Sequence, residues 1–262
     1  MKNFSSKISA RRVTGLALVV AVTVGLSAAP AAFAAEAPVG LGTADSFAVL
    51  AGTTVTNTDT PTVISGNVGV SPDAAVTGFP PGLVNNGSIH AADAVAAGAQ
   101  ADLVIAFDDA AGRLPVETGI KDLTDRELTS GVYSGGELGL TGTVTLVGDA
   151  DSVFIFQAAS TLITGSGSQV ALQGDINPCN VFWQVGSSAT LGSGSQFVGT
   201  VLALTSIAAN SAATVEGRLL ARNGAVTLDA NVITVPTDCA GVDEAPVAAP
   251  AVPVQGRATF TG

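Results

Sequence analysis

Residues 162–172, LITGSGSQVAL, return almost unchanged as residues 190–200, TLGSGSQFVGT, with Gly-Ser-Gly-Ser-Gln common to both. Setting Gln157 on Gln184, Thr164 on Leu191, Ser166 on Ser193 and Gln169 on Gln196 gives a constant offset of 27 residues. The next pass is tighter: Ala189 falls on Ile207, Ser193 on Ser211, Gly199 on Gly217 and Ala203 on Ala221, all at an offset of 18. One more pass, longer by about one residue, brings AVTLDANVI, residues 225–233, under the same column. Repeats of this length, made of short Val/Ile/Leu/Thr stretches between Gly and Ser corners, are too short for propeller blades and lack leucine-rich or helical signatures. They predict a mainly β solenoid, a β-helix whose coils stack at about 4.7 Å and bury alternate apolar residues.

In such a solenoid, equivalent residues lie above one another. Ser166, Ser193, Ser211 and Asp229 form one ladder; Ser168, Ser195, Ala213 and Asn231 a second; Gln169, Gln196, Thr214 and Val232 a third. Outward side chains on a sheet recur at about 6.6 Å along a strand and about 4.7 Å between coils. A flat grid of small, largely uncharged groups at those spacings is suited to holding water in the order of a crystal plane. The residue pattern therefore points to an ice surface as ligand, with these ladders as the candidate site.

Upstream, residues 40–87 read as short extended pieces, SFAVLAG, TTVTNT and TVISGNVGVSP, separated by Gly, Asn, Asp and Pro. From about residue 91 to 112 the spacing of Ala92, Ala96, Ala99, Leu103, Ala106 and Ala110, with Phe107 beside them, predicts one amphipathic helix. Its mostly alanine stripe allows close approach to a sheet, so the helix is expected to lie along the solenoid, and Gly112 and Pro115 end it.

Lys2, Lys7, Arg11 and Arg12 precede an apolar run, and Ala32-Phe33-Ala34 offers a small-x-small cleavage site, so residues 1–34 read as an export signal and the mature chain as secreted. Its removal leaves six basic against 21 acidic residues, a net charge of -15. That balance argues against nucleic acid and anionic membranes as partners and favours a monomer whose copies repel one another. The chain is 47% hydrophobic and 12% charged, ample for one core over residues 35–240. Residues 241–262, rich in Pro, Ala and Val, read as an extended flexible tail. Cys179 and Cys239 are the only cysteines, and an exported pair is most simply a disulfide.

Catalysis finds no support. GSGSQ is not a Gly-x-Ser-x-Gly elbow and recurs, whereas a nucleophile is normally unique, and His90 reads as a turn residue before the helix. Asp149 and Asp151, and the pair Asp108-Asp109, lack calcium-loop spacing, so neither metal nor cofactor is expected. The single Trp183, in NVFWQV, reads as core rather than as a sugar-stacking platform.

The stretches LGTADSFAVLAG, TVISGNVGVSP, TGFPPG, NVFWQVGSSATLGSGSQFVGTVLA and GRLLARNGAVTLDANVIT resemble the microbial ice-binding protein family known as DUF3494, over about residues 40–236. The resemblance implies a right-handed β-helix of roughly triangular section, with the long α-helix packed alongside and the N-terminal segment folded back into the stack. It also implies a Thr-Ala/Gly-x-Thr/Asn motif repeated on one face. That motif maps onto Ser166-Gly167-Ser168-Gln169, Ser193-Gly194-Ser195-Gln196, Ser211-Ala212-Ala213-Thr214 and, loosely, Asp229-Ala230-Asn231-Val232. Serine lacks threonine's methyl and its stiff χ1, and glutamine is long and mobile, so weak to moderate ice activity is expected. The competing reading is a secreted surface or adhesion module on the same scaffold without ice activity.

Overall fold

Along the short strands inward and outward residues alternate, and the inward set is mostly Val, Leu, Ile, Phe or Ala from coil to coil. In the computed structural model, which describes residues 36–58, 61–237 and 239, these strands stack in parallel into a right-handed β-helix with three faces. Face A comprises the first half of Gly131–Leu140, then Phe154–Ala158, Val181–Val185, the second halves of Gln196–Ala203 and Thr214–Ala221, Phe47–Ala51 and Asn67–Val70. Face B comprises the end of Gly131–Leu140, then Leu162–Thr164, Ala189–Leu191, Ile207–Ala209, Val226–Leu228, Thr54–Asn57 and Ala75–Thr77. Face C comprises Thr143–Gly148, Gln169–Gly174, the first halves of Gln196–Ala203 and Thr214–Ala221, Val232–Thr234, Val63–Ser65 and Leu83–Asn85.

Two chain segments share the stack. Val49 pairs with Leu219, Val55 with Val226 and Val63 with Val232, so the N-terminal coils continue the solenoid beyond its last C-terminal coil, as expected. The 27-residue and 18-residue offsets read from the sequence are the observed registers: Ile163 opposes Thr190, Gln169 opposes Gln196, and Gly199 opposes Gly217. Inside face A, Tyr133, Phe156, Trp183, Val201, Leu219, Val49 and Val68 form one column. Phe156 stacks on Trp183 at 4.1 Å between ring centroids, and Trp183 meets Phe197 at 5.0 Å, so the tryptophan is core.

Face A is buried on both sides because the helix Ala94–Gly112 covers it, and its strands accordingly read as nearly continuous apolar runs. Ala99, Leu103, Ala106, Phe107 and Ala110 pack on Leu50, Ile155, Phe182, Leu202 and Leu220. The helix starts later than the sequence predicted. Ala91 ends the strand Ile89–Ala91, Ala92 takes a left-handed φ of 51°, and Asp93 caps the helix by accepting from the Ala96 N–H. Ala92 therefore stands outside the helical stripe, and His90 lies in a strand rather than a turn, its Nδ1 2.8 Å from Asp93 Oδ2. At the other end Gln157 Nε2 donates to the carbonyls of Ala110 and Arg113, closing groups the helix leaves open.

The Cys179–Cys239 bridge is present, with Cα atoms 5.4 Å apart. It ties the end of the last coil to the corner preceding Val181–Val185. Beside it the buried Arg218 donates through Nε to Asp45 O and pairs with the Asp45 carboxylate. Burial pulls this guanidinium below its ordinary pKa while Asp45 opposes the shift. The export signal and the tail expected at residues 1–34 and 241–262 lie outside the described residues.

Candidate functional site

The corner between faces B and C is a four-residue turn that recurs in successive coils between residues 165 and 231. Ser168 N–H donates to Gly165 O at 3.2 Å, Ser195 to Gly192 at 3.1 Å and Ala213 to Asn210 at 3.1 Å. The preceding residue of each turn is left-handed: Gly167 at φ 69°, Gly194 at 64°, Ala212 at 60° and Ala230 at 53°. A Cβ in that conformation costs roughly 1–2 kcal/mol, which explains the glycine written twice in GSGSQ. Successive turns bond to one another, Gly167 N–H to Ser193 O and Gly194 N–H to Ser211 O, each at 2.9 Å.

This geometry corrects the ladders expected from the sequence. The residue after each left-handed position is turned into the corner, so Ser168 and Ser195 are 2% and 1% exposed and Ala213 and Asn231 are fully buried. None of the four reaches an outside surface. Asn231 instead works internally: Oδ1 accepts from Asp229 N–H at 2.7 Å, and Nδ2 donates to Asn210 O at 2.9 Å and Ala213 O at 3.2 Å. Ser166, Ser193 and Ser211 stand exposed along the ridge of the corner. Gln169, Gln196 and Thr214 are brought together around the edge, as the first outward column of face C. Asp229 is half-buried and accepts a 2.7 Å hydrogen bond from Thr58. The predicted ladder therefore wraps an edge and does not form one plane.

The surface with the most regular register is face B. Its central outward column runs Gly139, Ile163, Thr190, Ala208, Thr227, Thr56, Thr77 in unbroken register across seven coils. Consecutive members lie about 4.8 Å apart. One step earlier in the strands, Thr54 and Ala75 pair, and Ser188 and Ser206 accept from the backbone N–H groups of Ser206 and Ala225 in the next coil. Thr54 and Thr56 hydroxyls are 3.4 Å apart, and Thr77 donates to Thr56 at 3.3 Å. None of these side chains carries a charge. Threonine on a strand holds a hydroxyl and a methyl at fixed positions because its χ1 is restricted.

Sequence reasoning missed Thr190, Thr227, Thr54, Thr56 and Thr77 as site residues. The 18-residue offset already places Thr190 over Ala208, and the alternation in TTVTNT marks Thr54 and Thr56 as one side of a strand. Only the stacking of residues 54–77 onto residues 226–228 joins them into one column.

Residues 49–234 match the family model described as Ice-binding-like. A protein of Nostoc sp. (strain HG1) named "Ice-binding protein" is 48% identical over 200 residues, covering 74% of this chain and 73% of its own. One of the same name from Flavobacterium frigoris (strain PS1) is 34% identical over 213 residues, covering 76% of each chain. Among solved structures, an ice binding protein from an Antarctic biological consortium superposes with a TM-score of 0.75 at 43% identity, covering 78% of this chain and 94% of that one. An ice-binding protein with antifreeze activity from an Arctic yeast superposes with a TM-score of 0.70 at 30% identity, covering 76% and 95%. With its coils, its flanking helix and most of its length matched, the chain belongs to the ice-binding-like family.

Proposed function

We propose that this chain is a secreted ice-binding protein that adsorbs to ice through face B and slows ice growth or recrystallisation. The carrying observation is the outward column from Gly139 to Thr77, uncharged, small and in register over seven coils. Such a column fixes hydroxyls and methyls at a constant repeat, and water held between them is already ordered before it meets the crystal. The four threonines of the column, Thr190, Thr227, Thr56 and Thr77, are interrupted by Ala208, and the column begins with Gly139 and Ile163, whose side chain is 46% exposed. The regular patch is thus confined to the upper coils, which supports moderate rather than strong activity. The exposed serines of the corner, Ser166, Ser193 and Ser211, rim this face, while Ser168, Ser195, Ala213 and Asn231 support it from within.

Export is supported by the N-terminal sequence pattern and by the disulfide, which persists in oxidising compartments. No helix among the described residues is long and apolar enough to cross a membrane. Ice-recrystallisation assays on the chain from residue 35, at micromolar concentration, test the function: boundaries between ice grains should stay pinned relative to an equal mass of albumin. Grain growth indistinguishable from the albumin control refutes ice binding.

A further inference from the structure

Face C, unlike face B, is split. The strand Gln169–Gly174 is partnered residue for residue by Thr143–Gly148, from Gln169 opposite Thr143 to Gly174 opposite Gly148. On its other side it meets Gln196–Ala203 at one pair only, Gln169 opposite Gln196. The cause lies in coil length. The coils of Thr143–Gly148 and Gln169–Gly174 carry six-residue strands here and then the segments 149–153 and 175–180, whereas the next coils turn directly onto face A at Gly199 and Gly217. The sheet steps from wide to narrow, and its two strands part.

From this parting a groove of about 630 Å³ runs across four strands of face C, from Ala171 and Leu172 over Phe197 and Val198 to Glu216 and Thr234. Among the described residues the two facing edges have no strand partner beyond Gln169 and Gln196. Gln169 and Gln196 direct their N–H groups toward Gly142 O and Ser168 O, and alternation then aims the backbone of Leu172 and Val198 into the gap. The Val198 carbonyl takes a substitute: Trp183 Nε1 donates to it at 3.0 Å from beneath. Among the described residues, the Leu172 and Val198 N–H groups have no such stand-in.

We propose that this cleft is a second binding site, separate from face B, that takes an extended peptide segment carrying a basic residue. Unpaired strand edges are complementary to the backbone of an extended chain, the mode by which peptides add to open sheets. The floor of Val170, Leu172 and Phe197 suits short aliphatic side chains, and Glu216, the one charge in the lining, suits Lys or Arg. No exposed aromatic ring stands in the lining to stack a sugar, and a single carboxylate is a poor metal site. Face C adjoins face B around the serine ridge, so a peptide held here leaves the ice-facing column free.

The test is a phage-displayed linear heptapeptide library selected on the immobilised chain, followed by titration of the enriched synthetic peptides against 15N-labelled protein. Enrichment of at least tenfold for sequences with Lys or Arg among Val, Ile and Thr is expected, with amide shifts at Leu172 and Val198. Ala171→Trp, which fills the cleft from a half-exposed position, should remove both, while Thr227→Tyr on face B should leave both unchanged. Glu216→Gln, an exposed substitution that does not depend on tolerance of a bulky ring, should lower affinity for the basic peptides roughly threefold to fivefold. No enrichment, equal enrichment on Ala171→Trp, or shifts confined to another face overturns the proposal. So does maltohexaose shifting these amides where peptides do not, or concentration-dependent dimerisation abolished by Ala171→Trp, which would make the occupant a second copy. None of these outcomes depends on whether the chain binds ice.

Discussion

Faces B and C are built from the same repeat, yet one is continuous and the other is divided. On face B every coil contributes a three- or four-residue strand or the end of a longer one, so the outward column never loses register. On face C strand length changes from six residues to three between Gln169–Gly174 and the first half of Gln196–Ala203, and one pair is all that survives at the step. A solenoid therefore absorbs extra residues at a corner, and the price is carried by the face leading into it. The regular face can then present a lattice, while the stepped face can hold a discrete ligand.

Three substitutions probe how the corners keep these faces apart, in falling order of effect. Cys239→Ser removes the bridge that pins the segment 175–180 where the sheet narrows. Releasing a 60-residue separation should cost about 4 kcal/mol on the chain-entropy account. Calorimetry should show a fall in melting temperature on the order of 10 °C, with ice activity at low temperature retained. An unchanged melting curve would mean the bridge does not stabilise this step.

Asn231→Ala strips the corner between faces B and C of its internal hydrogen bonds, leaving Asp229 N–H and Asn210 C=O to lose their partner. Urea unfolding should report a loss of about 2 kcal/mol. A loss of ice activity with full stability would instead assign Asn231 to the ice surface, against its burial. Ala212→Gly works in the opposite direction, since Ala212 holds a left-handed φ of 60° where the two preceding coils have glycine. It should stabilise by up to about 1 kcal/mol, and a raised melting temperature checks it.

Much of this architecture was legible in the sequence. The repeated GSGSQ, the 27- and 18-residue offsets and the alanine stripe from Ala96 to Ala110 each correspond to a coil, a register or a packed face. The site was less legible because a ladder of aligned residues does not reveal which way its members point. Ser168 and Ser195 align as well as any pair in the chain, but the left-handed glycine before each turns them inward. The threonines of face B were visible as residues but came from segments far apart in sequence, and only long-range pairing of Thr56 with Thr227 places them in one column. The difference between the 27- and 18-residue offsets was visible in the sequence, but its consequence, the parting of two strands on face C, depends on where the extra residues leave the sheet.

Whether face B or the serine ridge meets ice is decided by recrystallisation inhibition with Thr227→Tyr and Ser193→Tyr at matched melting temperatures. Both positions are exposed, and both accept a ring without entering the core. Thr227→Tyr is expected to lose most of its inhibition while Ser193→Tyr keeps most of it. Full activity in Thr227→Tyr together with its loss in Ser193→Tyr would return the site to the corner.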